Sequence, residues 1–159
     1  MTIKIKFQIK AIEYNEVQHW FSLTKDELSR RNARRILVDE KPGYPCRVSL
    51  KDANIGETII AFPYNHHDVK SPYNTTGPIF IRSNVQTAKL KVNEIPEILQ
   101  NRFLSIRVYD SLHMMIDAST TQGKNLKTTI LKLFQNKSAH YMHIHNANPG
   151  CYNCSAERA

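Results

Sequence analysis

The sequence has little glycine and no long hydrophobic run. Five glycines occur among 159 residues, and no two lie close enough to form a dinucleotide-binding fingerprint or a phosphate-binding loop. The longest apolar run is about four residues, from Ile59 to Phe62, which is far too short to span a membrane. The first residues alternate apolar and basic side chains and lack the apolar core of a secretory signal peptide. We therefore expect a cytoplasmic protein that does not enter a membrane.

Cysteine is also scarce, and its number is odd. The three cysteines are Cys46, Cys151 and Cys154. Without a signal peptide, an odd count argues against a disulfide framework and leaves reduced thiols, a metal site or a reactive thiol as alternatives. No serine lies in a nucleophile elbow, and no His-Glu-x-x-His motif occurs. These absences exclude the commonest hydrolases and nucleotide-dependent enzymes, but they do not exclude an unusual enzyme.

Acidic residues are fewer than basic ones. The 14 Asp and Glu residues stand against 22 Lys and Arg residues, which gives a formal charge of +8. The excess is greatest in residues 1–51, and its densest part is a cluster of four arginines, Arg30, Arg31, Arg34 and Arg35. Such a cluster either binds nucleic acid or another polyanion, or forms a solvated helix end whose arginines interact with the helix dipole. We favour the helix end.

Patterns of apolar and polar residues predict most of the fold. Strands are expected near residues 3–10, 35–39, 47–50, 57–62, 79–82, 88–92, 103–109, 112–118 and 139–146. Helices are expected at 25–31, 94–101 and 122–135, the first with Thr24 and Glu27 as a capping box. We expect a long polar loop at 63–78 and a loop-like tail at 148–159. The whole chain, 1–159, is predicted to be a single α+β domain with a mainly antiparallel sheet and two or three helices.

The C-terminal segment contains the residues most typical of a metal site. His143 and His145 are two residues apart, so on a strand they project from the same face. A turn at Pro149-Gly150 would fold Cys151 and Cys154 back over them. Two imidazoles and two thiolates complete the tetrahedral ligand set of a zinc ion. The alternative is a polar strand edge followed by free thiols near a frayed terminus.

A second group of candidates depends on which strands are neighbours. If the last three predicted strands are adjacent, one sheet face carries Arg107, Tyr109, His113, Asp117, Tyr141, His143 and His145. Arginine offers a fork for a carboxylate or a phosphate, and a histidine oriented by aspartate exchanges protons near neutral pH. Tyrosine and histidine rings also stack on bases in open-sheet RNA-binding proteins. The alternative is an ordinary solvent-facing side of the sheet.

Two further features of the sequence are weaker signals. Cys46 follows a proline and precedes Arg47, which makes it a candidate nucleophile. A buried, unreactive thiol is the commoner role of such a residue. The adjacent histidines His66 and His67 are expected to lie in the polar loop, where neighbouring side chains point apart and at most one of them joins a site.

Eight segments carry a further signal when they are taken together, namely 33–39, 42–50, 52–53, 56–57, 71–73, 77–82, 107–110 and 143–152. In these residues the chain resembles a bacterial family of similar length that is catalogued as domain of unknown function 1203. The resemblance implies a bacterial protein and supplies no activity, cofactor or catalytic residue. It also implies that Cys46, His143, His145 and Cys151 are more typical of the family than Cys154.

Two classes of function remain open. The first is a small-molecule or metal-binding domain with zinc as its candidate cofactor, and whether it is an enzyme stays open. Its candidate catalytic residues are Cys46, His143, His145 and Asp117, and its metal ligands are the two histidines with Cys151 and Cys154. A small anionic ligand would be held by Arg47, Arg82 and Arg107. The second class is a nucleic-acid or polyanion binding module that uses the arginine cluster and the polar sheet face.

Overall fold

The computed structural model describes residues 3–159, which form two antiparallel sheets and four short α-helices. The strands are β1 (Phe7–Lys10), β2 (Arg34–Leu37), β3 (Thr58–His67), β4 (Thr75–Arg82), β5 (Phe103–Tyr109), β6 (Met115–Gln122), β7 (Tyr141–Asn146) and β8 (Tyr152–Arg158). The helices are α1 (Tyr14–Val17), α2 (Lys25–Arg30), α3 (Glu97–Gln100) and α4 (Leu126–Leu133). The predicted α+β class with a mainly antiparallel sheet is confirmed.

The larger sheet has five strands in the order β1-β8-β7-β5-β6, and the smaller has the order β2-β3-β4. Every neighbouring pair is antiparallel. Strand β7 therefore lies at the centre of the larger sheet, between β8 and β5. This placement fixes the backbone of β7, because both of its edges are hydrogen-bonded to neighbours.

One face of the larger sheet carries the main hydrophobic core. On β5, Leu104, Ile106 and Val108 point to this face, and each is at most 1% exposed. Helix α4 covers them with an apolar stripe that includes Leu126 and Ile130. Burial of a large aliphatic side chain contributes roughly 1.5–3 kcal/mol, so this face holds the helix against the sheet.

A second core lies between the smaller sheet and the other face of the larger one. It contains Ile60 and Phe62 from β3, with Tyr152 from β8. The ring of Trp20 stacks on Phe62, with 4.4 Å between the ring centroids. The smaller sheet therefore covers the side of the larger sheet that α4 leaves open.

The local signals at the helices are confirmed in part. Thr24 accepts a hydrogen bond from the backbone of Glu27, and the Glu27 carboxylate accepts one from the backbone of Thr24, so the capping box is formed. Helices α3 and α4 are shorter than predicted, and α1 was not predicted. Residues 47–50 form a turn and residues 88–92 form only an isolated bridge, so neither segment is the strand expected from its composition.

The predicted polar loop at 63–78 is wrong. Strand β3 continues to His67 and β4 begins at Thr75, which leaves a connection of residues 68–74. The prolines misled the prediction, because Pro63 and Pro78 face each other as paired residues in this hairpin. Pro63 lies beyond Ala61, the last residue of β3 that pairs with β2, and a missing N–H is tolerated at such a position.

The predicted loop-like tail at 148–159 is also wrong, because most of it is strand β8. β8 pairs with β1 on one side and with β7 on the other. Its inward residues Cys154 and Ala156 are fully buried in the main core. Cysteine and alanine are small, so their alternation produces a weaker strand pattern than Val or Ile would.

Candidate metal centre

Three histidines from the two sheets meet on the face of the larger sheet opposite α4. His143 and His145 project from β7, and His66 reaches them from the end of β3. Each offers a ligand atom, and these atoms all lie within 4.8 Å of one another. The ring centroid of His66 lies 5.9 Å from that of His143 and 5.0 Å from that of His145. The shared face predicted for His143 and His145 is thus observed.

His66 was missed by the sequence reasoning because its position depends on a β-bulge. The pairing of β3 with β4 shifts register between Asn65 and His67, which leaves His66 as the extra residue. A bulge re-aims side chains, and here both His66 and His67 contact the ring of His143. Of the two, His66 alone belongs to the group of candidate ligands within residues 3–159, in line with the expectation that at most one of them joins a site, whereas their placement in a polar loop is wrong.

Each of the three histidines has a buried ring nitrogen that lacks a hydrogen-bond partner within the described chain. His145 donates from Nδ1 to the carbonyl oxygen of Gly150 over 2.9 Å, which fixes the tautomer and leaves a lone pair on Nε2. That Nε2, the Nδ1 of His143 and the Nδ1 of His66 are buried and have no hydrogen-bond partner among residues 3–159. Buried nitrogen atoms without partners are rare in folded proteins and call for an explanation.

The three rings are neutral at physiological pH. Burial is the largest cause, and it lowers the pKa of His143 to about 2, that of His145 to about 3 and that of His66 to about 4. The positive charge of Arg107 lowers the pKa of all three further. Neutral imidazole is the form that binds a metal ion, so no proton has to leave before these rings can act as ligands.

Tyr152 and Arg47 support the cluster from the β8 side. The ring of Tyr152 stacks on His66 at 4.9 Å with an interplanar angle of 9°. The Arg47 guanidinium is 1% exposed and donates to the backbone oxygens of Tyr152 and Pro45 over 2.8 and 2.7 Å. Arg47 therefore anchors the start of β8 against the turn at Pro45.

The other two arginines predicted to bind anions lie in different surroundings. Arg82 forms an ion pair with Glu57 at 2.9 Å, so its charge is already compensated. Arg107 lies on β5 directly opposite His143. Paired residues of antiparallel strands share a sheet face, so Arg107 is the one of the three whose side chain starts on the face of the histidines.

A hydrogen-bonded chain lies beside the three histidines. Nδ1 of His67 donates to the carbonyl oxygen of Tyr73 over 2.8 Å, so its Nε2 accepts a hydrogen bond from the Tyr141 hydroxyl over 2.5 Å. The Tyr141 oxygen in turn accepts from Nδ1 of His113 over 2.9 Å. Burial raises the pKa of Tyr141 to about 12, so the hydroxyl stays protonated and can donate. The His67 ring lies 4.9 Å from the His143 ring.

The cysteines are not brought to the histidines. Cys154 pairs with Ile144 and lies in the hydrophobic core on the opposite face of the sheet, where burial raises the pKa of its thiol to about 12. Cys151 accepts a hydrogen bond from the Asn146 amide over 3.1 Å. The group of candidate ligands within residues 3–159 contains neither cysteine, so the four-ligand set of two histidines and two cysteines is not assembled.

Cys46 and Asp117 also lie away from the cluster. Cys46 is fully buried, and its sulfur accepts backbone N–H groups of Ser49 and Arg82, which is the surrounding of a structural thiol. Asp117 is exposed and pairs with Val108. A bulge in β6 next to this pair shifts the alternation, so Asp117 lies on the face of Val108 and not on the face of His143.

The arginine cluster lies at the far end of the smaller sheet. Arg34 and Arg35 are on the edge strand β2, which pairs with the first residues of β3, whereas His66 is near the last. Arg35 donates to the backbone oxygen of Leu23 over 2.6 Å. Arg30 and Arg31 end helix α2 and are exposed. The two regions that could bind anions are therefore separate.

The comparisons with known proteins place the chain without assigning an activity. None of the helices formed by residues 3–159 has the length and apolar content that a membrane span requires. No curated protein and no solved structure matches the chain. The profile of one family, described as "Protein of unknown function (DUF1203)", matches residues 43–158, a span that includes all three histidines, and the chain belongs to this family.

Proposed function

We propose that the protein binds a divalent transition-metal ion of the zinc type through His66, His143 and His145. Two observations support this proposal: each of the three histidines offers a ligand atom within 4.8 Å of the others, and each has a buried ring nitrogen without a hydrogen-bond partner in the described chain. Three such atoms leave the apo protein with uncompensated polar groups. A metal ion bound by the three rings would supply the compensation that the described chain does not.

The chemistry of the ligand set favours zinc or a related ion. Imidazole is a good ligand for zinc, copper, iron and nickel, whereas magnesium and calcium prefer oxygen. The group contains no carboxylate, so bound metal would keep its full positive charge. Three protein ligands are typical of zinc sites that leave a fourth position for water or an exogenous ligand.

The surroundings of the histidines support a stable site. The hydrogen bond from His145 to the Gly150 carbonyl is the kind of outer contact that orients a metal-bound imidazole. The stacked Tyr152 ring limits the rotation of His66. Both contacts come from residues 150–152, at the end of the turn after β7 and the start of β8. In the proposed site, His66 joins His143 and His145 in place of the two cysteines, Cys151 and Cys154, that the sequence predicted as ligands.

Zinc titration of the purified protein tests this proposal. The protein is first stripped with a chelator, and binding is then measured by competition with a chromophoric chelator. We expect one zinc ion per chain. His145→Asn should weaken binding by more than the roughly 10- to 100-fold loss typical of a changed outer contact, because it removes a ligand.

His19→Asn is the matched control. His19 is exposed and contacts only the ring of its neighbour Trp20 among the aromatic residues of the described chain, so its loss should leave zinc affinity unchanged. Circular dichroism of each variant establishes that it is folded. Binding of less than a fifth of an equivalent of zinc by the folded wild type, or wild-type affinity in His145→Asn, would contradict the proposal.

A further inference from the structure

Arg107 is a charged residue beside the three histidines, and the proposed metal function gives it no role. It is half-buried on β5, directly opposite His143 on β7. The ion pairs within residues 3–159 are formed by Arg82, Lys89 and Arg102, so Arg107 has no carboxylate partner there. A half-buried guanidinium without a carboxylate partner keeps its N–H donors available for an anion.

The position of this charge is unfavourable for metal binding. Arg107 and His143 are directly paired on β5 and β7, and the Cβ atoms of such a pair lie about 4.5–5.5 Å apart on one face of the sheet. A divalent ion bound there would be repelled by the guanidinium. No carboxylate belongs to the ligand group to offset either charge. Both positive charges would be compensated by one anion placed between them.

Resting on the metal function proposed above, we infer that the site binds a small oxyanion between the metal ion and Arg107. One oxygen of the anion takes the coordination position that the three histidines leave open. A second oxygen accepts N–H groups of the guanidinium, whose planar fork matches a carboxylate or a tetrahedral oxyanion. The ligand class is thus a small carboxylate or a phosphate-like anion.

This arrangement couples the two binding events. An anion that contacts both the metal and Arg107 strengthens metal binding, and by linkage the metal strengthens anion binding by the same factor. Coupling of this kind typically amounts to about 5- to 150-fold. Removal of the guanidinium should abolish the coupling while leaving zinc affinity without the anion unchanged or higher, because the repulsion is removed as well.

The experiment compares zinc affinity in three proteins, the wild type, Arg107→Gln and Arg34→Gln. Arg34 is exposed on β2, so its variant loses the same charge away from the site. Each protein is titrated in chloride, in acetate and in sulfate at equal ionic strength, with the free zinc concentration corrected for each anion. Acetate and sulfate distinguish the carboxylate from the tetrahedral class.

We expect acetate or sulfate to raise zinc affinity at least about fivefold over chloride in the wild type and in Arg34→Gln. In Arg107→Gln the enhancement should disappear. Tight zinc binding with no enhancement by either anion, or equal enhancement in Arg107→Gln, overturns this inference and leaves the metal function standing. Failure of the wild type to bind zinc in chloride overturns the metal function and this inference with it.

Discussion

The two faces of the larger sheet are built from alternate residues of the same strands, yet they are buried in different ways. Ile106 and Ile144 lie on one face beneath α4, and both are fully buried. Their neighbours Arg107, His143 and His145 lie on the other face beneath the β3–β4 hairpin. His143 and His145 are 5% and 0% exposed, so both faces are interior surfaces.

The two faces differ in whether they bury polar groups that need hydrogen-bond partners. Aliphatic side chains need only contact, and the face beneath α4 is complete once the helix is packed. The other face buries imidazole and phenol groups, which need hydrogen-bond partners or a metal ion. His67, Tyr141 and His113 are hydrogen-bonded to one another, whereas each of the three clustered histidines has a buried ring nitrogen without a partner among the residues described. The unsatisfied face is therefore the candidate for ligand binding.

Acid should affect the histidine face most. The pKa values of about 2 and about 3 for His143 and His145 lie below the unfolded value of 6.5, so the unfolded chain binds more protons below that pH. Stability is complete above pH 6.5 and is lost as the pH falls towards the folded values. Between pH 7 and pH 5 we expect burial of these two rings in the metal-free protein to cost about 2 kcal/mol each, or about 4 kcal/mol for the pair.

Urea denaturation in chelator at both pH values measures this loss. His145→Asn should show a smaller dependence on pH, because one protonatable group is absent from both states. An unfolding free energy that is the same at pH 7 and pH 5 would mean that the two rings are not buried in neutral form.

The apolar face should respond to the removal of volume. Ile106→Ala is expected to lower the free energy of unfolding by about 3 kcal/mol, within the usual range of roughly 2–5 kcal/mol for such a truncation. The matched variant Ile116→Ala removes the same atoms from a side chain that is 37% exposed and should cost less. Zinc affinity of folded Ile106→Ala should equal that of the wild type, and a large loss would mean that the two faces are not independent.

Breaking the hydrogen-bonded chain of His67, Tyr141 and His113 should lower the free energy of unfolding least among the three changes. Tyr141→Phe leaves Nε2 of His67 and Nδ1 of His113 without their partner, which we expect to cost about 2 kcal/mol. Tyr44→Phe is the comparison, because its hydroxyl bonds to Asp39 at the surface, where water replaces the lost partner. Equal losses in the two variants, measured by urea denaturation, would argue against a buried network around Tyr141.

Local patterns predicted the elements that depend on neighbours in the sequence. The capping box of Thr24 and Glu27, the alternation of β5 and the apolar stripe of α4 were all recognised from residues a few positions apart. The pairing of His143 with His145 on one face was predictable for the same reason. Arg107 was also placed correctly opposite them, once its strand was assumed to be a neighbour of β7.

The errors concern features that depend on distant contacts. The bulge that turns His66 inward exists because β3 and β4 pair out of register at that point, and no residue type in the segment specifies it. The bulge in β6 that turns Asp117 away from the histidines has the same origin. Strand β8 was missed because its apolar alternation is weak. The segment forms a strand by pairing with β1 on one side and β7 on the other.

The sequence by itself determined the class of the fold, the face shared by His143 and His145, and the absence of a phosphate-binding loop. These depend on the period of a strand and on the spacing of glycines, which are local properties. Only the tertiary structure decided that His66 is the third member of the cluster, that Cys154 lies on the opposite face, and that Arg107 has no carboxylate partner among residues 3–159. These depend on strand order and register, which are set by packing between segments far apart in the chain.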